Sequence, residues 1–223
     1  MPTLDRQDDV FILDLGDDEN RFHPDWIASV NAALDEVEST DGPRALVTTA
    51  TGKHYSGGLD LEWLSSNTDR LQGYVVSVHE LFARVLSLPA ITVAAMQGHA
   101  FAAGAMLSLA HDFRAMRADR GYWCLPEADI NIPFTRAMSA LIQSRLTPRA
   151  AHEAMLTARR YGGPDAEAAG IVDRAVGEDL VRTTALEIAQ AQAGKAGDTL
   201  GTIKARMHAP TLAVLRDSAD PLG

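Results

Sequence analysis

The sequence predicts an α/β layered domain with a helical C-terminal region. Three observations carry that expectation. Short apolar runs at residues 10–15, 45–49 and 91–96 are each bounded by glycine, proline or polar residues, as buried strands are. Segments with apolar residues at helical spacing lie between them, so strand and helix alternate. Past Phe134 the strand signal gives way to helical segments separated by proline and glycine.

Taken in order, VFILDL at residues 10–15 is a strand that stops at Gly16, and Asp17 to Asn20 form a polar turn. Pro24 opens a helix whose Trp26, Ile27, Val30, Ala33, Leu34 and Val37 share one face. Asp41-Gly42-Pro43 breaks the chain before the buried strand ALVTT at 45–49. A loop runs from Thr51-Gly52-Lys53 through His54, Tyr55, Ser56, Gly57 and Gly58. Asp60 then caps a short helix carrying Leu61, Trp63 and Leu64. A helix at 71–86 precedes Pro89 and the strand at 91–96. Ala102, Ala103 and Gly104 make a tight strand-to-helix turn, and Met106, Leu107, Leu109 and Ala110 continue the helix. A short strand near 122–125 delivers Pro126 and Glu127. Helices follow at 138–146 and 150–158, then a break at Gly162-Gly163-Pro164 and a short helix at 165–169 stopped by Gly170. An amphipathic helix at 180–193, a loose polar stretch at 194–201 and a helical stretch at 203–215, interrupted by Pro210, complete the chain. The expected division is a core at 1–165 and a helical region at 166–223 that packs on the core or on a neighbouring subunit.

The 223 residues suffice for one large domain or two small ones, since domains hold roughly 100–200 residues. Hydrophobic residues make up 46%, enough for an ordinary core. A net charge of -10 and a pI near 5.1 speak against nucleic acid, and any anionic ligand must meet local Arg or Lys. A single cysteine, Cys124, excludes an internal disulfide framework. No apolar run reaches the roughly 18 residues that span a bilayer. The MPTLDRQDD start is not a signal peptide and the DPLG ending is not a peroxisomal address, so a soluble cytoplasmic protein is expected. No metal-binding spacing occurs, and no resident cofactor is expected. His99 and His111 read as structural, and Trp26, Trp63 and Trp123 as core or pocket wall. HYSGG lacks the first glycine of a serine-hydrolase G-x-S-x-G elbow.

Chemistry concentrates in two loops and one acid. Each loop leaves a strand, offers small residues and enters a helix, where backbone N–H groups are unpaired. Two such loops can aim one N–H each at a single oxygen, each worth about 2.7–4 kcal/mol to a transition state. Glu127 adds a carboxylate among apolar neighbours, Leu125, Ile130, Ile132, Phe134 and Met106. Donors for an oxyanion and a base for a proton are the parts that make an enolate. The plainer alternative is a close-packed Ala-Gly helix start, a Gly57-Gly58 turn and a solvated glutamate.

Five segments in order resemble the crotonase superfamily, the enoyl-CoA hydratase/isomerase family. They are NRFHPDWIASVNAAL at 20–34, YSGGLDL at 55–61, QGHAFAAGAMLSLAHD at 97–112, LPEADI at 125–130 and DAEAAGIVDRAV at 165–176. The resemblance implies a spiral of strand-strand-helix repeats with a helical C-terminal region, assembled as trimers or pairs of trimers. It implies an acyl-coenzyme A thioester substrate whose carbonyl oxygen sits between two backbone N–H groups, by position those of Gly57 and Ala103. It places Ser56, Gly58, Leu59, Asp60 and Leu61 of the first loop, with Met106 and Phe134, at the substrate, and Arg21 and Lys53 as candidates for the coenzyme A phosphates. Lys204 or Arg206 is a weaker candidate, reaching a neighbouring subunit's ligand. Hydratases of the family carry a second glutamate where this chain has Met106, which leaves Glu127 as sole base. The wording around Glu127 is most similar to isomerases that convert a 3-enoyl-CoA to the trans-2 isomer. A single-Glu hydratase, a thioesterase and a non-catalytic acyl-CoA-binding protein remain the alternatives.

Overall fold

The computed structural model describes residues 1–219, Pro221 and Leu222; Asp220 and Gly223 of the DPLG ending lie outside the described residues. In chain order the elements begin with β1 (Thr3–Gln7), β2 (Val10–Asp14), α1 (Pro24–Ser39), β3 (Ala45–Thr49), β4 (His54–Ser56), α2 (Leu61–Ser65) and α3 (Leu71–Ser87). Next come β5 (Ile91–Met96), β6 (His99–Phe101), α4 (Ala103–Ala110), β7 (Phe113–Arg117), β8 (Trp123–Cys124), α5 (Glu127–Ile130), α6 (Arg136–Arg145) and α7 (Pro148–Thr157). The chain closes with α8 (Gly163–Ala168), β9 (Arg174–Val176), α9 (Glu178–Gln190), α10 (Asp198–Met207) and α11 (Ala209–Leu215).

From β3 onward, consecutive strands go to different sheets. β3, β5 and β7 lie in a six-stranded sheet ordered β1-β2-β3-β5-β7-β9, while β4, β6 and β8 form a three-stranded sheet. Each step therefore runs strand, strand, helix, which is the repeating spiral that the family resemblance implies. The crossing between sheets requires close backbone approach. A Cβ on Gly98 would stand 2.2 Å from Lys53 O, so only glycine fits where β5 hands over to β6. Apart from the β1–β2 hairpin the pairings are parallel, and the central strands are apolar on both faces, as buried parallel strands must be.

The large sheet separates two cores. On one face α1, α3, α4 and α6 bury Trp26, Leu34, Phe82, Leu86, Leu107 and Leu141 against Phe11, Leu13 and Leu46. On the other, Val181, Ala185 and Ala189 of α9 pack on Val10, Ile12, Val47, Val93 and Ala115. Residues beyond 165 thus supply the last strand of the large sheet and the cover of its second face, in addition to helices. The segment at 194–201, expected to be loose, holds a 3-10 turn and the start of α10. The helical stretch at 203–215 is interrupted as expected: α10 ends at Met207, and Pro210 sits in the first turn of α11, as Pro24 and Pro148 do in theirs, where no helical N–H is lost. β1, β4 and β6 have no sequence signal: β1 is largely exposed, and the other two span three residues each.

Lys204 does not reach outward to a ligand. It is 2% exposed, donating to Asp112 Oδ2 at 2.9 Å and Ala90 O at 3.1 Å, while the same Asp112 oxygen accepts from Thr92 N at 2.8 Å. α10 is thereby tied to β5 by a buried ion pair whose members each make a further hydrogen bond. Removing one partner strands a buried charge. Lys204→Ala is expected to destabilise the protein by about 3–5 kcal/mol in urea unfolding; a loss below about 1 kcal/mol, the ordinary worth of a surface pair, would show that this contact does not anchor the helix.

Candidate active site

The small sheet aims three loops at one place. Because β4, β6 and β8 run parallel (Ser56 pairs with Ala100, Ala100 with Trp123, Phe101 with Cys124), their C-terminal ends share one edge. From that edge emerge residues 57–59, 102–104 and 125–127. The first two touch backbone to backbone. Gly58 has φ +87°, and a Cβ there would lie 2.8 Å from Ala103 N and 2.9 Å from Phe101 O. Ala102 itself has φ +50°, an uncommon conformation for a residue with a side chain, held where the Ala102 N–H donates to Cys124 O at 3.0 Å. A cavity of about 530 Å³ opens over this junction, with Gly57, Leu59, Ala103, Met106 and Glu127 in its wall. Leu61, Leu64, Leu71, Val75, Met138, Ile130 and Ile132 extend it as an apolar pocket, with Thr135 as a hydroxyl and Leu222 at its edge.

Which amides are free differs from the sequence expectation. The Gly57 N–H donates to Glu19 O at 2.7 Å, so it is not available to a ligand. The Gly58 N–H donates to Ser56 Oγ at 3.1 Å, and that hydroxyl donates to Asn20 O at 2.8 Å. Ser56 is fully buried and serves the loop rather than the pocket. Among the described residues, the first-loop N–H without an acceptor is that of Leu59. Ala103, first residue of α4, likewise has a free N–H, as helix starts do. The free pair is therefore Leu59 and Ala103. No spacing in the sequence marks this choice, because it depends on carbonyls contributed by Glu19 and Asn20, more than thirty residues away.

Glu127 follows β8 and Pro126 as the first residue of the one-turn α5. It is 7% exposed, and its Oε2 is buried without a hydrogen-bond partner among the described residues. Burial pushes its carboxyl up to about 7, against the modest pull of its own backbone N–H. Among the described residues it is the one acidic side chain in the cavity wall. Met106 packs there as an apolar neighbour. Leu125 and Phe134 do not line the cavity: Leu125 is wholly buried in the core, and Phe134 packs against that core.

The remaining expected residues divide. Arg21 lines the cavity, donating from Nε to Glu19 Oε2 at 2.5 Å and from Nη1 to Leu59 O at 3.3 Å. Lys53 lies instead at a separate cleft with Gln97, His99, Arg117 and Arg120. Asp60 accepts from Trp63 N at 2.9 Å, a helix cap and not a pocket wall, while Leu61 faces the pocket. Trp26 and Trp123 are buried core, and Trp63 packs beside Tyr74. Among the described residues no three His, Cys, Asp or Glu side chains cluster as metal ligands. Sequence reasoning missed Leu71, Val75 and Met138 as wall; helical periodicity marked their apolar face, but nothing in it tells which part of a face meets a cavity. Two free amides beside a near-neutral carboxylic acid can polarise a carbonyl and move a proton on a neighbouring carbon.

The chain matches the enoyl-CoA hydratase/isomerase family over residues 6–219. Enoyl-CoA delta isomerase 3 of Arabidopsis thaliana is 38% identical over 221 residues, 93% of this chain and 92% of that protein. The peroxisomal enoyl-CoA delta isomerase 2 of the same plant is 36% identical over 96% of this chain and 95% of its own length. Among solved structures, an apo enoyl-CoA isomerase of Mycobacterium tuberculosis superposes with a TM-score of 0.91 at 30% identity, over 99% of this chain and 96% of that one. Human mitochondrial delta3-delta2-enoyl-CoA isomerase shares the fold, with a TM-score of 0.90 at 24% identity over 99% of this chain and 88% of that one.

Gly58→Ala tests the loop junction. The new methyl meets two main-chain atoms at a positive φ, so a loss of about 1–3 kcal/mol in thermal unfolding is expected, with the two loops forced apart. An unchanged melt, or a crystal structure of the variant with the loops still in contact, contradicts the steric account.

Proposed function

We propose that this chain, which belongs to the enoyl-CoA hydratase/isomerase family, is an isomerase that moves the double bond of a 3-enoyl-CoA to the trans-2 position. The observation that carries the proposal is the buried Glu127, with its carboxyl raised to about 7, as the one acidic side chain among the described residues of the cavity wall, with Met106 standing where the family resemblance places a hydratase's second glutamate. Addition of water to a double bond needs one group to activate the water and another to deliver a proton to carbon. Allylic isomerisation needs one group that takes a proton and returns it. The delta isomerase names of the relatives support the same choice.

In this reading the thioester oxygen accepts hydrogen bonds from the Leu59 and Ala103 amides. Glu127 removes a proton from C2, which the thioester and the adjacent double bond both acidify. The electron pair of the broken C–H bond delocalises onto the thioester oxygen, giving a dienolate held by the two amides. The protonated Glu127 then delivers the same proton to C4, the electrons return, and the double bond stands between C2 and C3. No proton is lost or gained. An acid near 7 suits both halves, since a much weaker base would not take the proton and a much stronger one would not return it. The apolar wall from Leu64 to Met138 receives the acyl chain, and Arg21, the basic side chain among the described residues of that wall, supports a contact with the coenzyme. No described helix is long and apolar enough to cross a membrane.

Glu127→Gln is expected to lower kcat for 3-hexenoyl-CoA by about a hundredfold or more while binding of a coenzyme A thioester persists. Turnover kept within a few-fold of the parent protein, or faster hydration of 2-hexenoyl-CoA in a parallel assay, would overturn the assignment.

The pH dependence follows from the same carboxyl. The base must be ionised, so kcat/KM is expected to rise with pH through about 7 and level off above it. The folded-state value lies above the unfolded one, so the contribution of Glu127 to stability is lost as pH rises from about 4.5 to about 7. Glu127→Gln is thus expected to melt higher than the parent at pH 8 and to lose that advantage at pH 4. A kcat/KM profile flat between pH 5 and 8, or the opposite order of melting temperatures, would show that the carboxyl is not held in this state.

A further inference from the structure

We propose that a buried chain of hydroxyls and imidazole, Tyr55–Thr48–His111, is a positioning device that holds the two amide-bearing loops in register with each other; this rests on the oxyanion reading above. Tyr55 is the middle residue of β4, two residues ahead of the first loop at Gly57, and Thr48 belongs to β3 of the large sheet. His111 follows the last residue of α4, the helix whose start carries the Ala103 amide. The three are buried, at 0%, 2% and 0% exposure.

The direction of every bond in the chain is determined. His111 Nδ1 lies 2.8 Å from Leu107 O, and a carbonyl only accepts, so Nδ1 carries the proton. The imidazole is neutral, since burial brings it down to about 4. Nε2 is then an acceptor, and Thr48 Oγ1 at 2.9 Å donates to it. With its proton so used, Thr48 Oγ1 accepts from the Tyr55 hydroxyl at 2.8 Å. The chain runs one way, from the strand entering the first loop to the last turn of the helix leaving the second.

Its place in the sheet explains why it is needed. The pairing of β4 with β6 slips between His54 and Ser56, so Tyr55 is an irregularity in the ladder. Such a bulge re-aims a side chain and loosens the strand beside it. The Tyr55 carbonyl, freed from the ladder, accepts from Asn20 Nδ2 at 3.2 Å. Ladder pairing resumes at Ser56 with Ala100, a single pair before the loop, which does not by itself set the height of the first loop relative to α4. The side-chain chain does, because it is anchored on α4 at Leu107 and His111 and on the large sheet at Thr48. A shift of the Tyr55 end moves Leu59 N relative to Ala103 N, and the hold of two donors on one oxygen is steeply sensitive to such shifts.

The test uses the intact protein with Tyr55→Phe and Thr48→Val, each removing one hydroxyl at nearly constant shape, and Thr48→Ser, which keeps it. Carbonyl polarisation is read by the red shift of bound 4-(dimethylamino)cinnamoyl-CoA, and turnover by kcat and KM for 3-hexenoyl-CoA. Tyr55→Phe and Thr48→Val are expected to fold, to lose about tenfold in kcat with KM changed less than about twofold, and to shrink the red shift. Thr48→Ser should restore both. If Tyr55→Phe fails to fold, the Val and Ser pair at Thr48 decides. A full red shift and normal kcat in both hydroxyl-deleted variants would overturn the proposal, as would a kcat loss shared equally by Thr48→Ser. If the parent protein polarises the chromophore but does not isomerise 3-hexenoyl-CoA, the isomerase reading fails; the hydroxyl chain is then judged on the red shift alone. If the parent does not polarise it, the oxyanion reading and the positioning proposal fall together.

Discussion

The contact of Gly58 with the main chain of Phe101 and Ala103 is the constraint that the rest of the structure serves. Two loops from different turns of the spiral meet there with no side chain between them. The parallel small sheet brings their parent strands to one edge, and Asn20, itself at φ +50°, gathers the carbonyls of His54 and Tyr55 beside it. Ser56 and Glu19 absorb the amides of Gly58 and Gly57, which leaves the Leu59 N–H free among the described residues. The free amides are thus a remainder, defined by which neighbouring N–H groups have found partners inside the fold.

Electrostatics at the site follow from burial rather than from the charge of the chain. The protein carries a net charge of -10, yet desolvation, not a neighbouring carboxylate, raises Glu127. The buried Arg114 and the partly buried Arg145 lie at the opposite end of α4. Arg145 donates to Leu109 O and His111 O, and Arg114 to His111 O, where the helix presents its carbonyls. Positive charge at the C-terminal end and unpaired amides at the N-terminal end both complement the helix dipole, and both favour an anion near Ala103.

Legibility varied with the range of the interactions involved. Val10, Ala45 and Ile91 begin strands where apolar runs predict them, and α1 and α3 follow their apolar stripes closely, because burial of one face leaves a period in the chain. β4 and β6 left none, since three residues hold no period and their partners lie some forty residues apart. In the site, motif order points to Glu127, Ala103 and Met106, which line the cavity, whereas the Gly57 N–H is spent on Glu19 O while that of Leu59 stays free, and Lys53 lies at a separate cleft.

The chain alone determined what is local or repeated: alternating strands and helices, small residues at two helix starts, one acid among apolar neighbours, and five ordered segments that mark the family. Tertiary structure decided which amides stay free, how far the acid is buried, and that residues beyond 165 complete the large sheet. The reason is physical. Periodicity and capping are properties of neighbours in sequence, while an unpaired N–H or a desolvated carboxyl is defined by atoms that only folding brings near.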